Sequence, residues 1–140
     1  MALDIRVKEA RAATKFTQII TRDAQGKPKT LYVPGHDGKR YQVIVRRIQV
    51  AGRNVVTTEC RQDAGRLGYK PCPGNGRTVC YHAMAAVIAS AADSGYKVAF
   101  SDDANAAVRL SHMGGSANEL MAHNGTGVLY LRIYKEGEEY

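Results

Sequence analysis

The sequence predicts an α+β fold in a single domain covering residues 1–140: a small antiparallel sheet with two or three helices packed on it. Three observations predict it. Two β-rich runs, Thr30-Leu-Tyr-Val33 and Tyr41-Gln-Val-Ile-Val-Arg-Arg-Ile48, flank the turn-forming stretch Pro34-Gly-His-Asp-Gly38, as in a hairpin. An alanine-rich run from Cys80 to Ala92 carries Met84, Val87, Ile88 and Ala91 at helical spacing. Between them lies a segment of about twenty residues rich in glycine and proline, with little periodicity.

The remaining elements follow in order. Leu3 to about Thr17 reads as a helix with Ile5, Ala12 and Phe16 on one face, although Phe16, Gln18 and Ile20 also alternate as a strand would. Asp23 to Pro28 is a turn by composition. A second turn at Ala51-Gly-Arg-Asn54 leads into a strand, Val55-Val-Thr-Thr58. The alanine-rich helix stops at Ser94-Gly95, where glycine takes its usual C-terminal place. Tyr96 to Phe100 is a short strand. Ser101 caps a further helix, with Asp102 and Asp103 in its first turn, that ends near Gly114-Gly115. A loop containing Glu119 to Gly127 precedes a closing strand, Val128 to Tyr134, and an acidic tail.

Composition excludes several classes. No stretch approaches the roughly 18–20 unbroken apolar residues of a membrane span, so no membrane partner is expected. Met1 to Lys15 has no apolar core of a secretory signal, which predicts a cytoplasmic protein. Three cysteines make an odd set for a disulfide framework, and in a reducing compartment clustered thiols more often bind metal. The alternative is three unrelated buried thiols.

Cys60, Cys72, Cys80 and His82 form the pattern Cys-x11-Cys-x7-Cys-x-His, and Cys3His is a structural zinc set. Each position has a physical reason. Cys60 ends a strand, and Cys72 sits in a stiff Pro-Cys-Pro-Gly turn. Cys80 and His82 open a helix, whose positive end favours thiolate. Bound zinc (Zn2+) would also order the long loop, which a compact domain seldom leaves irregular. Four protein ligands fill the tetrahedron, so the site is expected to be structural and the protein not an enzyme, with no small-molecule substrate. A Cys80–His82 thiol–imidazole pair is poorly placed for proton transfer, which leaves a small enzyme as a distant alternative. His36, His112 and His123 are the substitutes if Cys60 is not a ligand.

The layout of strand hairpin, cysteine ligands, and Cys-x-His at the mouth of an alanine-rich helix resembles the SWIM-type zinc fingers, over roughly residues 30–94. Cys80, His82 and Cys72 match that pattern, and Tyr32-Val-Pro-Gly and Tyr41-Gln-Val look like its leading strands. The first cysteine of the usual Cys-x-Cys is displaced: Lys70 occupies its place and Cys60 substitutes from ten residues back. The resemblance implies zinc, and with it contact with DNA or protein.

The net charge of +7 is concentrated. Residues 39–77 hold nine basic side chains, Lys39, Arg40, Arg46, Arg47, Arg53, Arg61, Arg66, Lys70 and Arg77, against Glu59 and Asp63. That arc, with Tyr41 and Tyr69 able to stack on bases, predicts nucleic-acid binding, DNA more than RNA, although tyrosines in a hairpin mostly pack across strands. The alternative is a zinc-stabilised protein–protein adaptor whose charge only solubilises it.

Overall fold

The computed structural model describes residues 3–36, 38–50, 53–72, 79–101, 119–123 and 127–135. Its elements are α1 (Leu3–Thr14), β1 (Gln18–Arg22), β2 (Pro28–Pro34), β3 (Arg40–Val50), β4 (Arg53–Asp63), a 3-10 turn (Gly65–Leu67), β5 (Tyr69–Pro71), α2 (Tyr81–Asp93), β6 (Tyr96–Ser101), β7 (Glu119–His123) and β8 (Gly127–Lys135). The fold is α+β, as expected.

The sheet is larger than the sequence suggests. Among the described residues eight strands form one sheet in the order β1-β2-β3-β4-β7-β8-β6, with β5 paired to β4. All pairs are antiparallel except β4–β7. That parallel pair needs the long crossover which α2 and β6 supply. Two strands occupy segments read as loops. Glu119–His123 is β7, and Tyr69–Pro71 is β5. Both are too short to display alternation, and pairing makes them strands, with β4 for β5 and with β4 and β8 for β7. The helix expected after Ser101 lies outside the described residues.

Strand alternation gives the sheet two unlike faces. Leu31, Val33, Val43, Val45, Val56, Thr58 and Cys60 are buried, while Tyr32, Gln42 and Ile44 are half-buried and Arg46, Glu59 and Arg61 are exposed. Helix α2 packs on the buried face, touching β2, β3, β4 and β6, and α1 packs on α2. Helix α2 is buried nearly all round, from His82 to Val87 and again at Ser90 and Ala91. Sheet and α1 enclose it, as its alanines permit.

The first helix is phased differently from its expected face. Ala10 is buried and Leu3, Val7 and Ala13 pack on the core, whereas Ile5, Ala12 and Phe16 are exposed. It also stops at Thr14. The Thr14 and Thr17 hydroxyls donate to the Ala10 and Ala13 carbonyls at 2.7 and 3.0 Å, occupying acceptors at the helix end. The turn at Asp23 forms as expected: its carboxylate accepts the amides of Gln25 and Lys27, both at 2.9 Å. Gly95 ends α2 at φ 83°, a left-handed conformation that favours glycine.

Among the described residues no helix is long and apolar enough to cross a membrane.

Candidate metal centre

Strand register explains the long Cys60–Cys72 spacing. Strand β5 pairs antiparallel with β4 through Arg61↔Pro71, Gln62↔Lys70 and Asp63↔Tyr69. One step further along that ladder, Cys60 stands opposite Cys72. Directly opposed side chains on one face lie about 4.5–5.5 Å apart at Cβ, so eleven intervening residues become a cross-strand contact. The connecting turn depends on Gly68, at φ 82° and ψ −128°, whose carbonyl accepts the Ala64 amide at 2.8 Å.

The other two side chains come from the start of α2. Cys80 is the N-cap, in extended conformation (φ −74°, ψ 157°), and makes no side-chain cap hydrogen bond. His82 sits in the first turn. The approach to Cys80 is tied down by α1, because Arg6 Nη1 donates to the Val79 carbonyl at 2.7 Å.

The four side chains form a buried cluster that can hold a metal ion. Their ligand atoms all lie within 4.8 Å of one another, and Cys72 Sγ is 3.5 Å from His82 Nδ1. Each residue is at most 6% exposed, and none of the three cysteines is in a disulfide. Zinc bonds of about 2.3 Å to sulfur and 2.0–2.1 Å to nitrogen put tetrahedral neighbours roughly 3.5–3.8 Å apart. The Cys72–His82 separation already has that value, and modest contraction brings in the rest.

Electrostatics points the same way. The Cys60 thiol is pushed well above its ordinary range by hydrogen bonds with Cys72 and Cys80, and further by burial. For Cys80 the hydrogen bond with Cys60 favours thiolate, but contact with Cys72 and burial outweigh it and lift the pKa to about 12. Crowded thiols away from water cannot all ionise alone, whereas a divalent cation stabilises several thiolates together.

Aromatic rings surround the histidine. Tyr41 stacks on His82 with centroids 3.7 Å apart and planes 12° from parallel, and Tyr81 lies 4.1 Å away. Gln62 Nε2 donates to the Tyr41 hydroxyl at 3.1 Å. The Tyr81 hydroxyl accepts the His36 amide at 3.1 Å, and His36 Nε2 is 3.1 Å from Glu9 Oε2 on α1. Tyr41, which the sequence offered as a base-stacking ring against the commoner packing across strands, is only 3% exposed and is stacked on His82. The signal was its parity in β3, shared with the buried Val43 and Val45.

The remaining predicted residues are placed as follows. Arg40, Arg46 and Arg61 lie on the sheet face opposite α2. Arg47, on the α2 side of β3, is also exposed, as are Lys39, Arg66 and Lys70. Arg53 belongs to β4, with its side chain outside the described part, and Arg77 lies outside the described residues. His36 is engaged with Tyr81 and Glu9, apart from the thiols. His123 lies in β7. His112 lies outside the described residues.

No family model, curated protein or solved structure matches this chain.

Proposed function

We propose that this chain is a non-enzymatic zinc protein of SWIM-like layout, in which the metal locks the β4–β5 hairpin to the start of α2 and the basic surface binds nucleic acid. One observation carries the metal assignment: three buried thiols and an imidazole with all ligand atoms within 4.8 Å. The donor set favours zinc, for which Cys3His is a structural combination. Four protein donors leave no open position for substrate, which supports a structural role over catalysis.

Nucleic acid is supported by the exposure of Lys39, Arg40, Arg46, Arg47, Arg61, Arg66 and Lys70, all within residues 39–70. Counterion release gives such binding a recognisable salt dependence. About four phosphate contacts imply a log–log slope of roughly −3.

The experiment has two readouts. Elemental analysis of protein purified without chelator is expected to give about one zinc per chain, and metal-free protein would sink the first half of the reading. Zinc-loaded protein is then titrated with DNA and RNA across a salt series. Arg46→Glu is expected to weaken binding and flatten the slope without loss of zinc. A protein adaptor is the second reading, favoured by the exposure of Phe16 (71%) and Leu67 (76%). It predicts no such slope.

A further inference from the structure

The sheet face turned away from α2 carries a built array of rings and guanidinium groups. Register places Gln18, Tyr32, Gln42 and Arg61 in one cross-strand row, with Pro34, Arg40, Asp63 and Tyr69 in the next. Arg40 lies over the Tyr32 ring at 4.6 Å and Arg61 over the Tyr69 ring at 4.2 Å. The Tyr32 and Tyr69 hydroxyls share a hydrogen bond of 3.2 Å, and Gln42 Nε2 donates to Tyr69 at 3.2 Å. Arg61 Nε donates to Gln42 Oε1 at 2.6 Å, and Arg40 pairs with Asp63 at 3.3 Å. Among the described residues no helix covers this face.

At the edge of the array is a cleft of about 230 Å³ lined by Phe16, Gln18, Tyr32, Pro34 and Arg40. It is smaller than the roughly 300–1,000 Å³ of small-molecule pockets, which suits one planar group better than a whole ligand. Phe16 stands 71% exposed beside it. Gln18 offers both a donor and an acceptor to a base edge, and Arg40 a cation.

We propose that this face binds single-stranded nucleic acid, with a base stacked on Phe16 in the cleft and the phosphate backbone passing Arg40, Arg61 and Arg46. The inference rests on the nucleic-acid reading above and specifies its ligand. Duplex is the poorer occupant. A major groove about 12 Å wide takes a helix or a two-stranded ribbon. The five strands β1 to β5 span roughly 19 Å at about 4.8 Å per spacing, and α2 is buried. Unpaired bases have free π faces for a ring and for flat guanidinium groups. Asp63, beside Tyr69, is paired with Arg40 and partly neutralises it, so Arg61 and Arg46 carry more of the phosphate contact.

The test uses the zinc-loaded full chain and labelled oligo-dT, oligo-U and a hairpin duplex of about 12 nucleotides, within known site sizes of ~4–16. Single strands are expected to bind at least about tenfold tighter than duplex. Phe16→Ala and Phe16→Leu are each expected to lose about tenfold, the scale of one stacking contact, with zinc content and salt slope unchanged. The sequence has no Trp, so Phe16→Trp adds a single indole that should retain binding and be quenched by oligo-dT or oligo-U. A preference between those two identifies DNA or RNA as the source. Duplex bound as tightly as single strand, or Phe16 variants bound like the parent, overturns this proposal and leaves nucleic-acid binding standing. No binding of any probe at low salt overturns both.

Discussion

His82 shows how a single side chain is prepared for its role. Its Nδ1 faces Cys72 Sγ, and Tyr41 is stacked on its ring. Groups that orient a ligand typically change metal affinity by about 10–100-fold when removed. Tyr41→Leu is therefore expected to lower zinc affinity about tenfold in a chelator competition, while Tyr69→Leu, on the other face of the sheet, leaves it unchanged. Asp93 supplies a pH-dependent counterpart. It ends α2, where the helix dipole disfavours an anion, and Arg22 offsets this with two hydrogen bonds of 2.8 and 3.1 Å. The hydrogen bond from Arg22 holds the Asp93 pKa below its ordinary value. A depressed carboxylate contributes stability above its unfolded pKa and loses it as pH falls through the folded pKa. Asp93→Asn is thus expected to unfold at lower urea than the parent near neutrality, with the gap closing at acid pH.

At the scale of elements, the β4–β5 hairpin and the N-terminus of α2 are the two halves of the candidate metal centre. The hairpin has only three paired positions in β5, and its turn relies on Gly68 at positive φ. Placing a Cβ there costs about 1–3 kcal/mol. Gly68→Ala is expected to show that loss in urea unfolding together with weaker zinc retention, since the turn sets Cys72 opposite Cys60. Retained affinity would mean that the register is held by something other than this turn. Met84 belongs to the other half, fully buried on α2. Met84→Ala is expected to cost about 2–5 kcal/mol by removing packing beneath the helix that carries Cys80 and His82.

Across the whole molecule, the centre joins parts of unequal support. Helix α2 is enclosed by α1 and the sheet, and β3 pairs with β4 over ten positions. Residues 64–71 are mostly exposed, with β5 paired to β4 and the Tyr69 hydroxyl reaching Tyr32 on β2 and Gln42 on β3. Regions with few buried apolar contacts open at the lowest free energy. Chelation is therefore expected to expose the Ala64–Pro71 segment to protease first, while amides of α2 remain protected from exchange. Simultaneous loss of protection in both would show that the metal holds the entire domain. Helix α1 is linked to the same centre, through Arg6 to Val79 and through Glu9, His36 and Tyr81.

The sequence by itself carried the α+β class, the β2–β3 hairpin, the extent of α2 and the four residues of the buried Cys/His cluster. Those features rest on local signals: alternation, 3.6-residue periodicity, a glycine at a helix end, and thiols close along the chain. Tertiary structure decided the rest. The phase of α1 depends on where α2 lies, because Leu3, Val7 and Ala10 are no more apolar than Ile5, Ala12 and Phe16. Strand β5 exists through pairing with β4, and β7 through pairing with β4 and β8, which no short window can display. The same pairing turned the Cys60–Cys72 spacing into a contact across a ladder, and strand parity sent Tyr41 to the metal side and Tyr69 to the open face. Side-chain direction in a sheet reverses with every residue, so which face a residue serves is fixed only when the strands find their neighbours.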